Sequence, residues 1–253
     1  LINDLNTSND TSNNLVIVGA GLAGAELACK VSDLLGDTTR LHLIERGDKA
    51  LPEGKAFNQE QTAKALSIRN IRVHLCTEVI KITSDMILLQ TLNEHEATQF
   101  QLSHHGVIWT AGTKASFPEI SPKPYLSGEK IRIDGNLKAI GYEDIFAIGD
   151  VSCNEEMPYP ANAQLAMQQG EFVANSLIFS GIGFNTKSFT FNDLGEMLSL
   201  GIGNASITAL GLTISGSMAF QIRRMIYLIK MPTFAVRFRS FGAWLLRNAE
   251  KCY

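Results

Sequence analysis

The run Leu15-Val-Ile-Val-Gly-Ala-Gly-Leu-Ala-Gly-Ala-Glu26 leaves this chain few folds to choose from. Leu15 to Val18 are four apolar residues in succession, as a strand buried on both faces requires. Gly19 permits a tight turn at the end of that strand. Gly21 lets the backbone come close to a pyrophosphate, and Gly24 lets the following helix pack against the strand. The helix N-terminus then faces the phosphates with its free N–H groups and the positive end of its dipole. A second strand is expected at Leu41 to Ile44, with Glu45 at its C-terminal end, where a carboxylate can accept hydrogen bonds from adenosine ribose hydroxyls. Arg46 beside it could meet a 2′-phosphate, so NADPH stays open next to NADH. A glycine-rich turn in an ordinary α/β domain is the bland alternative. Strand, turn, helix, second strand and acid in one order argue against it.

A second segment, Asp144-Ile-Phe-Ala-Ile-Gly-Asp150, reads as another buried strand ending where a carboxylate can meet a cofactor sugar. Two nucleotide sites in this order point to a flavin enzyme supplied by a nicotinamide.

Between them the expected elements are a helix from Leu22 to Leu35 and a helix from Phe57 to Ile68. Short strands follow at Ile71–Leu75, Glu78–Ile82 and Met86–Leu92, then a buried strand from Gly106. Residues 15–112 thus read as an NAD(P)H-binding domain. Pro118, Pro122 and Pro124 make the next stretch irregular, and a strand resumes at Ile131 to Ile133. A proline-flanked loop leads into a helix from Asn162 to Phe179, with Gln164, Gln168 and Gly170 at or near its start. Residues 113–180 are expected to be the C-terminal part of an FAD-binding domain. Residues 1–14, rich in Asn, Ser, Thr and Asp, read as a polar linker.

Cys29, Cys76, Cys153 and Cys252 are scattered, with no CxxC, which argues against a redox dithiol or a zinc knuckle. The five histidines show no metal-ligand spacing, and His104-His105 reads as a solvated loop end. No metal is expected, and nothing in the pattern points to nucleic acid.

Charge is unevenly spread. From Gly216 to the end, seven basic residues face one acid, a net +6 that leaves −9 on the rest of a chain whose total is −3. Met218, Ile222, Met225 and Ile229 fall on one helical face, with Arg223, Arg224 and Lys230 away from it. Phe234, Phe238, Phe241 and Leu245 repeat the spacing after Pro232, with Trp244 beside them and Arg239 and Arg247 opposite. Two basic amphipathic helices suit a membrane interface. Packing of both stripes on the protein body is the alternative. The uncharged stretch from Met197 to Ile222 is too rich in Gly, Ser and Thr for a membrane span, and Ser206 to Ser215 read as strands with glycine turns. Residues 181–253 are therefore expected to form a C-terminal membrane-associating region.

These motifs resemble the type II NADH:quinone oxidoreductases, flavoproteins of the pyridine nucleotide-disulphide oxidoreductase superfamily, and most of all their cyanobacterial and plastid branch. The matching segments are Gly-Ala-Gly-Leu-Ala-Gly-Ala-Glu-Leu-Ala at 19–28, Trp-Thr-Ala-Gly at 109–112, Ile-Phe-Ala-Ile-Gly-Asp at 145–150, Ala-Gln-Leu-Ala-Met-Gln-Gln at 163–169 and Arg-Arg-Met-Ile-Tyr-Leu at 223–228. The resemblance implies that Gly19, Gly21, Gly24 and Glu45 hold NADH, with Gly112 close to the dinucleotide. It implies that Glu26 sits near the nicotinamide and the flavin, in a catalytic role. Gly149 and Asp150 would take the FAD ribityl chain, and Ala163 and Gln164 the isoalloxazine. Gln164 and Gln168 would border a quinone slot, and the basic helices would make the protein peripheral to a cytoplasmic, thylakoid or plastid membrane face. A homodimer is compatible with this resemblance.

One departure matters. In the family an FAD-binding half with its own GxGxxG comes first, and residues 1–14 cannot supply it. The chain is therefore expected to be part of a longer enzyme. The expected fold is α/β: a Rossmann-like NADH-binding domain, part of a second Rossmann domain, and an amphipathic helical anchor. The expected activity is hydride transfer from NAD(P)H to FAD and then two electrons to a membrane quinone, without proton pumping. Two rivals are a soluble NAD(P)H:ferredoxin-type reductase and a non-catalytic NAD-binding module.

Overall fold

The computed structural model describes residues 13–92, 97–180 and 188–249. They divide into two compact units, one from 13–112 and 194–249 and one from 113–193.

The first unit is built on a parallel sheet of β1 (Asn14–Val18), β2 (Arg40–Ile44), β3 (Arg72–His74) and β7 (Gly106–Trp109), in the order β3-β2-β1-β7. Leu15 pairs with Leu41 on one side and Gly106 on the other, so β1 is central. Its side chains alternate between two apolar layers, as the period of a strand demands. Leu15 and Ile17 pack with Ala28, Cys29, Val31 and Leu66 from α1 (Leu22–Leu35) and α2 (Ala56–Ile68). Val16 and Val18 pack with Ile87 and Leu89 from an antiparallel meander of β4 (Thr77–Ile82), β5 (Met86–Thr91) and β6 (Gln99–Ser103). Burying each of the Val, Leu and Ile side chains among them contributes about 1.5–3 kcal/mol. Burial also pushes the Cys29 thiol up to about 11, so this cysteine is an inert core residue.

The expected linker is shorter than its composition implies. Residues 1–12 lie outside the described residues, but Asn13 is buried and Asn14 opens β1. The backbone explains this: Arg40 N–H donates to the Asn13 carbonyl, and the Asn14 amide donates to the Ser103 carbonyl. His104 also departs from expectation. It is buried, its backbone N–H donating to the Asp85 carbonyl, while the next N–H, of His105, donates to the Asn14 carbonyl.

Residues 194–249 group with the first unit. β11 (Glu196–Ser199), β12 (Ala205–Ala209) and β13 (Leu212–Ser215) form an antiparallel sheet, covered by α4 (Gly216–Ile229) through Ala219 and Ile222. Polar bonds join this sheet to the helices. The fully buried Asn58 of α2 donates to Glu196 Oε2 at 2.6 Å and accepts from Ser206 Oγ at 2.5 Å and Thr208 Oγ1 at 3.1 Å. Asp33 of α1 accepts from Arg69 Nε at 2.7 Å and from the backbone N–H of Ile202. The Arg69 guanidinium and that N–H hold the Asp33 carboxyl below its usual range, against the opposing effect of burial. An apolar stripe alone does not signal such bonds.

Helix α5 (Phe234–Ala249) follows. Among the described residues no helix is long and apolar enough to cross a membrane. The side chains of Leu245 and Arg247, and all of residues 250–253, lie outside what is described.

The second unit holds β8 (Leu126–Ser127), β9 (Lys130–Arg132), β10 (Ser152–Cys153) and α3 (Ala163–Ser180) around a core of Ile131, Ile133, Leu137, Leu165 and Phe189. The strand expected at Ile145 to Ile148 is not a ladder. Phe146 makes an isolated bridge to Lys138, with Ala139 N–H donating to Ile145 O and Ala147 N–H to Leu137 O. At Gly149, φ +69 turns the chain into a 3₁₀ turn, Gly149–Val151. The extended run therefore ends at Gly149 with one bridge and no full ladder partner.

Candidate functional site: a glycine turn and a Gly-Asp turn

In the first unit, Val18 leads into Gly19, whose φ of +98 is a conformation that L side chains rarely adopt. Gly19 N–H donates to Ile44 O, which ties the turn to the end of β2. A Cβ on Gly24 would collide with the Gly19 carbonyl oxygen, so this glycine sets how closely α1 approaches the turn. Gly21 has nothing within 4 Å of where a Cβ would stand, and no side chain caps α1 there. Leu22 and Ala23 are exposed. The result is an open helix N-terminus with N–H groups free to meet an anion.

Two neighbours frame the turn. Glu45 accepts from Ala20 N–H at 2.7 Å through Oε2 and from Gly47 N–H at 2.8 Å through Oε1. Each oxygen keeps lone-pair capacity for a further donor. Arg46 beside it is exposed. Across the turn, Thr110 Oγ1 donates to Val18 O at 2.8 Å and reaches Gly19 O at 3.0 Å. Gly112, with φ +86, has open space around it.

Glu26 points elsewhere than at this turn. Its Oε1 accepts from Ser199 N–H at 2.6 Å and from Arg223 Nη2 at 3.3 Å, so it braces α1 against β11 and α4. Arg223, expected away from the apolar face of α4, thus meets Glu26 of α1. Arg224 likewise stacks over the Trp244 ring at 4.0 Å. Periodicity sees charge as polar, whereas a partnered or stacked cation sits on a packed face.

In the second unit, Gly149 N–H donates to Gln169 Oε1 at 2.6 Å, and Asp150 follows exposed on the turn. Gln169 is fully buried, while Ala166 of the same helix lies against Gly149. Asn162 Oδ1 caps α3 by accepting from Leu165 N–H at 2.8 Å, which leaves Ala163 exposed at the first turn. Gln168 pairs with the backbone of Asn192, donating to its carbonyl at 2.8 Å and accepting its N–H at 2.9 Å. Its Nε2 also lies 3.5 Å from Gln164 Oε1. Gln168 thus holds a neighbouring segment, with Gln164 beside it. Gln169 was missed from sequence. Its sole signal is that it lies one residue further along the same motif, on the inward face of α3.

A small cavity of about 70 Å³ is lined by Gly149, Ser152, Asn154, Tyr159, Leu165 and Gln169. It backs the Gly-Asp turn and is too small for an aromatic cofactor. A larger one, about 720 Å³, opens between α2 and β3, with Gln59, Glu60, Leu66, Ile71 and Val73 in its wall. Neither Glu45 nor the glycine turn lines it. Among the described residues no cluster of His, Cys, Asp and Glu could hold a metal ion, and Cys29, Cys76 and Cys153 are unpaired with one another.

A parallel sheet, a phosphate-ready glycine turn with an acid on the next strand, and a second unit carrying a Gly-Asp turn define a pyridine nucleotide-dependent flavoprotein fold. The chain belongs to the pyridine nucleotide-disulphide oxidoreductase family, whose model matches residues 3–170. It is similar to the demethylphylloquinone reductase NdbB of Synechocystis sp., with 33% identity over 92% of this chain and 58% of that protein. It is similar to the alternative NAD(P)H-ubiquinone oxidoreductase C1 of Arabidopsis thaliana, with 27% identity over 93% of this chain and 49% of that protein. A type II NADH:quinone oxidoreductase of Staphylococcus aureus is 26% identical over 86% of this chain and 56% of its own length. The chain thus spans about half the length of the curated relatives it matches. In fold it resembles NDH2 of Plasmodium falciparum, solved with NADH, at a TM-score of 0.79 and 16% identity over 97% of this chain and 66% of that one.

Proposed function

We propose that this chain carries the NAD(P)H-binding part and the flavin-ring end of an NAD(P)H:quinone oxidoreductase. The observation that carries the reading is the uncapped N-terminus of α1 behind Gly19 and Gly21, with Glu45 braced at the end of the adjacent strand. The α1 N–H groups would take the pyrophosphate, and Glu45 the adenosine ribose. Arg46 would admit a 2′-phosphate. Gly112 would leave room beside the turn. The names of the three curated relatives, each of which names a quinone, support the acceptor.

In the second unit the residues fit the sugar and ring end of FAD. Asp150 is an exposed carboxylate on a turn that Gln169 ties to α3 through the Gly149 N–H. Ala163 opens a capped helix whose N-terminal dipole favours electron density at a ring carbonyl edge. FAD, when bound, supplies the hydride acceptor and the route of two electrons onward. The protein's own part is to bind and orient. Glu26, engaged with Arg223 and Ser199, would act on the nicotinamide end through the position of α1. Gln164 would border the quinone, with Gln168 fixing the Asn192 segment behind it. The reading includes no proton pumping.

The reading extends to a peripheral membrane position. Met218, Met225 and Ile229 of α4 and Phe234 and Phe238 of α5 are exposed apolar residues, accompanied by exposed Lys230, Arg237 and Arg239. Apolar area plus positive charge is what anionic interfaces bind. A protein with Phe234 and Phe238 changed to Ser should lose sedimentation with anionic vesicles; unchanged sedimentation overturns the anchor. The relatives' greater length is consistent with an FAD adenosine site contributed by further residues.

The direct experiment is to purify the chain with added FAD, desalt it and record its visible spectrum. A retained flavin spectrum bleached by NADH establishes the first half-reaction in this chain alone. A colourless protein that still binds NADH limits the chain to nucleotide binding. One that binds neither overturns the proposal.

A further inference from the structure

Trp109 is the last residue of β7 and lies in register with Val18, the residue before the glycine turn. Its indole is 56% exposed, yet its Nε1–H is satisfied by Ala111 O at 2.9 Å. That bond to a residue two places on holds the ring in one orientation. An exposed large side chain is ordinary in itself. The place of this one is not ordinary.

The sheet order β3-β2-β1-β7 makes the β1/β7 gap the switch point of the fold, with β2 on one side of β1 and β7 on the other. Ligands of open α/β sheets lie across the carboxyl ends of the strands at such a point. With the pyrophosphate at Gly21 and the adenosine ribose at Glu45, the other half of a dinucleotide has to run over the end of β7. That end is Trp109-Thr-Ala-Gly112. Thr110 locks it to the glycine turn, and Gly112 leaves it open.

We propose that Trp109 is the aromatic wall against which the nicotinamide ring of the bound dinucleotide rests, and so the residue that favours the whole dinucleotide over its ADP-ribose portion. This rests on the dinucleotide reading given above. A flat ring met by an indole already held in place loses little conformational freedom on binding, so the contact adds affinity and fixes the ring's orientation.

Calorimetric titration of the chain with NADH and, separately, with ADP-ribose tests it. Trp109→Leu should weaken NADH about fivefold or more and leave ADP-ribose unchanged, while Trp109→Phe keeps most of the NADH affinity. Unchanged ADP-ribose binding also reports that each variant is folded. Equal losses for both ligands, or no loss for NADH, overturn the proposal. Should Trp109→Leu fail to fold, Trp244→Phe leaves Trp109 as the sole indole. Its emission should then be quenched by NAD⁺ and not by ADP-ribose; equal quenching, or none, overturns the contact. A wild-type chain that binds neither ligand overturns the dinucleotide reading itself, an outcome distinct from both.

Discussion

Arg223 on α4 reaches Glu26 on α1 across 197 residues of sequence, with 3.3 Å between Nη2 and Oε1. Both side chains are about three-quarters covered, at 20% and 26% exposure. The same carboxylate oxygen takes the Ser199 N–H. One acid therefore holds the C-terminal sheet and helix to the nucleotide-binding helix.

Removing Glu26 should cost more than removing Arg223. Glu26→Ala leaves both a guanidinium and a backbone N–H without this partner, so about 2–3 kcal/mol is expected. Arg223→Ala should cost about 1–2 kcal/mol. Urea unfolding of both single variants and the double variant measures this. Strictly additive losses would mean that the pair is not coupled.

Asn58 makes the second joint. Asn58→Leu keeps the volume but removes the donor to Glu196 and the acceptor for Ser206 and Thr208. A loss of about 2–4 kcal/mol is expected, since several covered polar groups lose their partner together. Thermal unfolding reports it. A loss below about 1 kcal/mol would show that water replaces the amide.

The buried His42 lies with Nδ1 3.0 Å from Nε2 of His74, their rings stacked. Burial, then the charges of His74, Arg72 and Arg40, push His42 down to about 4. His74 is lowered as well, chiefly by burial. A base whose folded value lies below its unfolded value binds fewer protons when folded. Stability is thus full above about pH 6.5 and falls as the pH drops toward 4, by at most about 3 kcal/mol from His42. His42→Leu should flatten that slope in urea titrations between pH 4 and 7. A slope unchanged in the variant assigns it to other groups.

The glycines of the turn should separate folding from binding. Gly24→Ala forces a methyl into the Gly19 carbonyl, so both melting temperature and NADH affinity should fall. Gly21→Ala meets no neighbour at a backbone φ of −66 that any residue adopts, so stability should hold while NADH affinity drops at least tenfold. Equal NADH affinity in Gly21→Ala and wild type would place the pyrophosphate somewhere else.

Local pattern was legible wherever one physical signal dominated. The apolar run Leu15–Val18 and the glycine spacing located β1, the turn and α1, whose span Leu22–Leu35 matches the expectation. The glycine-bounded hairpin of β12 and β13 and the two basic helices were readable for the same reason. At Ile145–Ile148 the apolar run was present, but a ladder also needs a partner of matching length, which sequence does not display. His104 looked like a loop end because burial of a connection depends on what passes over it.

The sequence by itself determined the period of each strand and helix, the glycines that make the turn and the acid beside it, because these depend on residues near one another in the chain. Only the tertiary structure decided that Glu26 meets Arg223, that Gln168 holds Asn192 while Gln169 holds Gly149, and that residues 194–249 join the first unit. Those choices are made by directional bonds between groups far apart in sequence. Their energy depends on distance and covering in three dimensions, which no periodicity records.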